Sequence, residues 1–153
     1  MISEPYGGGG RSMDTSQQYI DMCRMASEIQ KCWMPEHGDF FQGEKGKVEV
    51  WVQGRHEQRC VAGNVRLRFE DGMPRTRQYI WLPRLDQLME LAQEPGKRFD
   101  QLTQIFFDWT KQDYGTQQGH PGSLFDSLEQ TWLAFIMDRK FGLKWDGCEW
   151  RTP

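Results

Sequence analysis

No C-x-x-C pair, nucleophile elbow, P-loop or dinucleotide-type glycine pattern occurs in this chain, so its common routes to phosphate cradling and acyl transfer are absent. Four cysteines, Cys23, Cys32, Cys60 and Cys148, are scattered, and a chain of 153 residues needs no disulfide staples; reduced thiols in an intracellular setting are the expectation. There is no charged start followed by an apolar run. No uninterrupted apolar stretch approaches the roughly 20 residues that span a bilayer, so a soluble, cytoplasmic protein without a membrane partner is expected. Charge of one sign is also scarce: the net value of −3 gives no global field to hold nucleic acid or an anionic surface.

Aromatic mass is what the chain does have. Hydrophobic residues are only 37% of the sequence, but aromatics make up 13% and include seven tryptophans, which concentrates burial into a few large side chains and excludes a disordered composition. Trp51, Trp81, Trp109 and Trp132 read as core pillars. The length fits one domain. Residues 1–13, with Pro5 and the run Gly7 to Gly10, read as a flexible leader with Met13 as an alternative start, leaving 14–153 as the folded unit.

Tyr19, Met22, Ala26, Ile29 and Trp33 recur at spacings of 3, 4, 3 and 4, which predicts a helix over about 15–33, capped by Asp14, Thr15 or Ser16 and closed by Pro35. Alternation then takes over around Phe40–Phe41, Val48 to Val52, Val65 to Phe69 and Gln78 to Leu82, with Asp71-Gly72 as a hairpin turn. Three helices follow. One starts at Pro83 and ends at Pro95-Gly96, one runs from about Phe99 to Lys111, and one carries Leu124, Leu128, Trp132, Phe135, Ile136 and Arg139 between a Ser123 or Ser127 cap and Gly142. Tyr114 to Gly122 reads as an exposed loop, and Leu143 to Trp150 as a turn that folds back onto the core. The expected fold is α+β: a small antiparallel sheet of three or four strands over about 40–82, with the N-terminal helix and three C-terminal helices packed on one face.

Candidate chemistry is thin. Cys32, His37 and Asp39 form a loose C-x4-H-x-D run, and His56 and Cys60 stand four apart, but neither has a second pair, so no metal and no cofactor are expected. The histidines, His37, His56 and His120, all fall in turns or loops, and no catalytic residue is assigned. Asp86 and Glu90, like Asp126 and Glu129, are acid pairs spaced for one helix face, and read as solvated. Above this background stands a basic segment: residues 55–84 carry seven arginines against three acids. Strand alternation assigns Val65, Leu67, Phe69, Ile80 and Leu82 to the core, and Arg66, Arg68, Arg77, Tyr79 and Trp81 to an outer face. There, guanidinium groups would hold phosphates while rings stack on bases. The other reading of those arginines is edge protection and paired surface charge.

The order Ile80-Trp81-Leu82-Pro83-Arg84-Leu85-Asp86-Gln87-Leu88, then Leu128-Glu129-Gln130-Thr131-Trp132-Leu133-Ala134-Phe135-Ile136-Met137, then Lys144-Trp145-Asp146-Gly147-Cys148-Glu149-Trp150 resembles that of small bacteriophage and prophage proteins with no assigned reaction. The likeness extends from the Tyr19 helix to the final tryptophan. It departs in the glycine-rich leader and in the arginine-bearing stretch from Gln53 to Arg77. It implies a phage-encoded accessory protein acting in the cytoplasm of a bacterial host, with an anti-defence role among its duties. The expected function is a non-enzymatic binding module for a host protein, nucleic acid or nucleotide; an enzyme built on His56, Cys60 and His120, or a virion component, is the alternative. The oligomeric state is left open.

Overall fold

A computed structural model describes residues 12–52, 60–61, 64–68, 74–113 and 124–153. The leader up to residue 11, the Asp71-Gly72 turn, Phe69, Ser123, His56, His120 and the 114–122 loop lie outside the described residues.

The periodic N-terminal stretch forms two helices rather than one, α1 (Gln17–Met25) and α2 (Ser27–Lys31). Ser16 caps the first by accepting from the Tyr19 amide. The chain breaks at Ala26, where ψ is 68°, and the buried Cys23 carbonyl accepts from Gln30 Nε2 at 3.0 Å. Sequence periodicity passes through the break because Tyr19, Met22, Ala26, Ile29 and Trp33 are all buried on the same side.

The strand region is divided between two antiparallel sheets, where the sequence suggested one. In the first, β1 (Phe40–Gln42) is central between β2 (Val48–Val50) and β6 (Ile80–Leu82), with Phe41 opposite Trp81 and Phe40 opposite Leu82. In the second, β4 (Asn64–Arg68) lies between β3 (Cys60–Val61) and β5 (Pro74–Gln78). A hairpin forms as expected, but its second arm is β5 and not the expected Gln78 to Leu82. Tyr79 separates β5 from β6, and the two strands take different partners.

Three helices complete the α+β fold: α3 (Leu85–Leu91), α4 (Phe99–Asp113) and α5 (Leu128–Phe141). Pro83 stands one residue before the α3 cap, Arg84, whose amide donates to Gln87 Oε1 at 2.9 Å. Helix α5 is the central post. Ser127 caps it by accepting from the Gln130 amide at 3.1 Å, and Gly142 closes it with φ of 65°, a conformation that costs a residue with a Cβ. From Trp132 to Met137 every residue is buried, so this helix is covered almost all round by α1, α3, α4 and the C-terminal hairpin β7 (Lys144–Trp145)–β8 (Trp150–Arg151). That hairpin is the fold-back of the tail, pinned by Trp150 Nε1 donating to the Met22 carbonyl at 3.0 Å.

Two aromatic clusters hold the layers. Trp33, Phe41, Trp51, Tyr79 and Trp81 pack between α2 and the first sheet, with Trp33 parallel to Trp81 at 6.2 Å and Phe41 at 4.7 Å from Tyr79. Phe106, Trp109, Trp132 and Phe135 lock α4 to α5, Phe106 lying 4.0 Å from Trp132 with rings nearly parallel. The four indoles expected as pillars, Trp51, Trp81, Trp109 and Trp132, are all buried, which for Trp81 decides between that reading and its assignment by alternation to an outer face.

Candidate functional site

Of the five residues expected on an outer face, the two aromatics are not on one. Tyr79 and Trp81 are buried in the first aromatic cluster, at 6% and 5% exposure, so neither ring is presented to a nucleobase. Alternation misplaced them because it assumes a strand with one wet face; β6 buries both Trp81 and Leu82, one on each side. The backbone register separates the arginines too. Partners directly opposite share a face of an antiparallel pair, and Arg77 pairs with Val65 while Arg66 pairs with Thr76. Arg66 and Arg68 therefore hold one parity of the β4–β5 ladder and Arg77 the other.

The loose C-x4-H-x-D run is likewise taken apart. Asp39 is buried, and its carboxylate accepts from Trp33 Nε1 and the Glu36 amide, each at 2.9 Å, from Gln87 Nε2 at 2.7 Å and from Arg84 Nη1 at 3.3 Å. Cys32 Sγ instead donates to the Glu28 carbonyl at 3.3 Å. Among the described residues no three His, Cys, Asp or Glu side chains converge as a metal site. Cys23 is no nucleophile: it is completely buried, and burial pushes its thiol up, so it stays protonated.

A cleft of about 470 Å³ opens where the start of the described chain, the first sheet, α3 and α5 meet, lined by Met13, Phe40, Arg84, Leu85, Asp86, Met89 and Glu129. That is within the range of small-ligand and side-chain pockets. Each wall follows from local structure. Phe40 lies on the central strand, one residue before buried Phe41, so its ring is on the opposite face. Leu85 and Met89 are spaced i, i+4 on α3 and share a stripe. Met13 is carried in by the cap of α1, because Asp14 binds both the Ser127 hydroxyl and Gln130 Nε2 and so ties the chain start to the first turn of α5. Burial pushes the Asp14 carboxyl up, but these hydrogen bonds and those from Ser16 outweigh it and hold the carboxyl below its ordinary range.

Charge in the cleft is unevenly matched. Arg84 donates to the Gly38 carbonyl at 2.9 Å and reaches both Asp39 and Asp86, so its guanidinium is fully engaged. Asp86 stands at the rim with 71% of its side chain exposed. Glu129 differs from both. The residue is only 4% exposed and no hydrogen bond or ion pair from another described residue holds its carboxylate, whose oxygens are not among the sealed atoms without a partner and so open to the cleft. Its charge is felt at the neighbouring Tyr19 hydroxyl, which is driven well above the usual tyrosine range, first by burial, then by Cys23, and further by Glu129 and Asp14. Tyr19 itself donates to the Pro83 carbonyl at 2.5 Å.

The sequence reading assigned Glu129 and Asp126 to a solvated face, and the structure corrects this for Glu129. The signal was present: Glu129 is three residues from Trp132, four from Leu133 and seven from Ile136, which puts it on the buried stripe of α5. Of the groups suggested for an enzyme, His56 and His120 lie outside the described residues, and Cys60 is described only as the first residue of β3. No protein-family model, curated protein or solved structure matches the chain.

Proposed function

We propose that this protein is a non-enzymatic binding module that engages a partner protein through the cleft between α3 and α5. The single observation that carries the reading is the lining: four apolar side chains surround the carboxylate of a nearly buried glutamate that no described residue holds. A carboxylate set among apolar walls and open to the cleft offers a ligand a charged contact as well as apolar area. The net negative lining favours a protein over a nucleic acid or nucleotide at this place. The likeness to phage and prophage proteins adds the expectation of a host protein as that partner, with an anti-defence role as one duty of such an accessory protein.

Photo-crosslinking from a reactive amino acid at position 89, with the protein produced in bacteria, tests the reading. A discrete protein adduct is expected from Met89, absent when the reactive group is placed at exposed Lys31 and lost when Leu85→Arg fills the cleft with charge. Adducts that form equally from position 31, or that survive Leu85→Arg, overturn it.

A further inference from the structure

Resting on the reading of the cleft as a binding site, we infer that the group it takes is a lysine side chain of the partner, with its ammonium against Glu129 and its methylene stem along Met13, Leu85 and Met89. Three observations converge on this chemistry. Glu129 is more than nine-tenths buried as a residue, its carboxylate is unpartnered among the described residues, and it forms part of the cleft wall. The cation already in the cleft, Arg84, is held by Gly38, Asp39 and Asp86, and makes no ion pair with Glu129. The remaining walls suit an aliphatic stem: two methionines adapt their shape to what they touch, Leu85 adds a branched apolar surface, and Phe40 adds further apolar area.

Charge decides between the possible occupants. An anion would meet Glu129 and Asp86 with only an engaged guanidinium to offset them, and a purely apolar side chain would seal a carboxylate away from water without a counter-charge. An ammonium on a flexible four-carbon stem supplies the missing charge while its methylenes cover the apolar walls, as lysine stems do at protein surfaces. Burial of the pair on binding then makes Glu129 the group that sets specificity, whereas the apolar walls supply contact area that any aliphatic side chain would use.

The test uses defined probes on the full chain. Methyl NMR of Met13 and Met89 is followed while acetyl-Leu-Lys-Leu-amide is titrated, beside the same peptide with norleucine in place of lysine. The lysine peptide is expected to move both methyl signals and to bind at least about tenfold more tightly than the norleucine peptide, and Glu129→Gln is expected to erase that preference while Glu129→Asp retains part of it. The lysine-to-norleucine comparison is made on the unmodified protein and so does not depend on a variant folding. Equal binding of the two peptides overturns the lysine assignment but leaves the cleft as a binding site, as does a preference unchanged in Glu129→Gln. No movement of either methyl by either peptide also overturns it, and the crosslinking result then decides separately whether the cleft binds a protein. Arg11, two residues before Met13, carries the same chemistry within the chain. Tighter lysine-peptide binding by Arg11→Gln would identify that arginine as the occupant and overturn assignment to a partner.

Discussion

Asp39 and Glu129 are both carboxylates with almost no exposure, 2% and 4%, and Arg84 borders the surroundings of each, yet they are opposite in kind. Asp39 receives hydrogen bonds from four donors that come from the loop after α2, the segment before α3 and α3 itself. It is the polar knot of the first aromatic cluster, and its partners leave no capacity for a ligand. Glu129 sits at the first turn of α5, where the helix dipole favours a negative charge, but no described side chain or backbone donor reaches it. The comparison teaches that burial alone does not mark a functional group. What separates structure from site is whether the surrounding fold completes the hydrogen bonding. Even the sealed cluster keeps one orphan, Trp81 Nε1, but that N–H is neutral and lies in the packed core, not among the residues that line the cleft.

The contrast breaks most easily at Asp39. Replacing it by alanine strands the Trp33 indole, the Glu36 amide and the Gln87 amide and removes an ion-pair partner from Arg84, so Asp39→Ala is expected to cost about 3–5 kcal/mol in urea unfolding followed by tryptophan fluorescence. A loss below about 1 kcal/mol would mean that the knot is dispensable and that the two carboxylates do not differ as described. Next in size is Gln30→Leu. The Gln30 amide accepts from the Trp81 amide at 2.8 Å and donates to the Trp81 and Cys23 carbonyls, stitching α2 to both α1 and β6. The same unfolding measurement should show a loss of about 1–3 kcal/mol, since three backbone groups lose their partner together.

Glu129→Gln sharpens the contrast from the other side. Because nothing described depends on its charge except the favourable helix dipole, stability should change by no more than about 1 kcal/mol, while peptide selectivity collapses. A cost as large as that of Asp39→Ala would show Glu129 to be structural as well.

The smallest expected effect lies on the periphery. Glu94, just after α3, is bound by Arg139 of α5 and by Lys97 at 2.6 Å. These bonds, Arg139 first, hold its carboxyl down at about 2 against an ordinary value of 4.5. A carboxyl depressed in the folded state contributes stability that is present above its ordinary range and is lost as pH falls toward 2, because the unfolded chain binds the proton first. Glu94→Gln should therefore flatten the stability profile between about pH 4.5 and 2, and, as the groups are partly solvated, cost no more than about 0.3–1 kcal/mol at neutral pH. An unchanged acid profile would rule out Glu94 as its source.

Helix α5 was legible residue by residue, because its cap, its apolar stripe and its left-handed glycine are local features that a stretch of chain carries with it. The first arm of the β4–β5 hairpin was legible for the same reason, but its second arm was placed at Gln78 to Leu82, whereas the strand that pairs with β4 is Pro74–Gln78 and Ile80–Leu82 joins the other sheet. The break at Ala26 was not, since both halves of the N-terminal helix keep one apolar stripe and the side chain that serves the freed carbonyl, Gln30, looks like any surface glutamine. Tyr79 and Trp81 were misplaced because alternation reports that two faces exist and is silent on whether both are dry. Part of the candidate site was readable in principle through the position of Glu129 on the buried stripe. The rest required Met13, Phe40 and α3 to be brought to it, which no spacing along the chain encodes.

By itself the sequence determined where most helices begin and end, that an antiparallel hairpin follows the first valine-rich strand, and that indoles and leucines form a core, because capping, periodicity and turn chemistry act over a few residues. Tertiary structure alone decided that the strands divide between two sheets, that Tyr79 and Trp81 face inward, and that of two buried carboxylates one is tied and the other free. Those outcomes depend on which distant groups arrive within hydrogen-bond reach, and a carboxylate in sequence carries no mark of the donors the fold will bring to it.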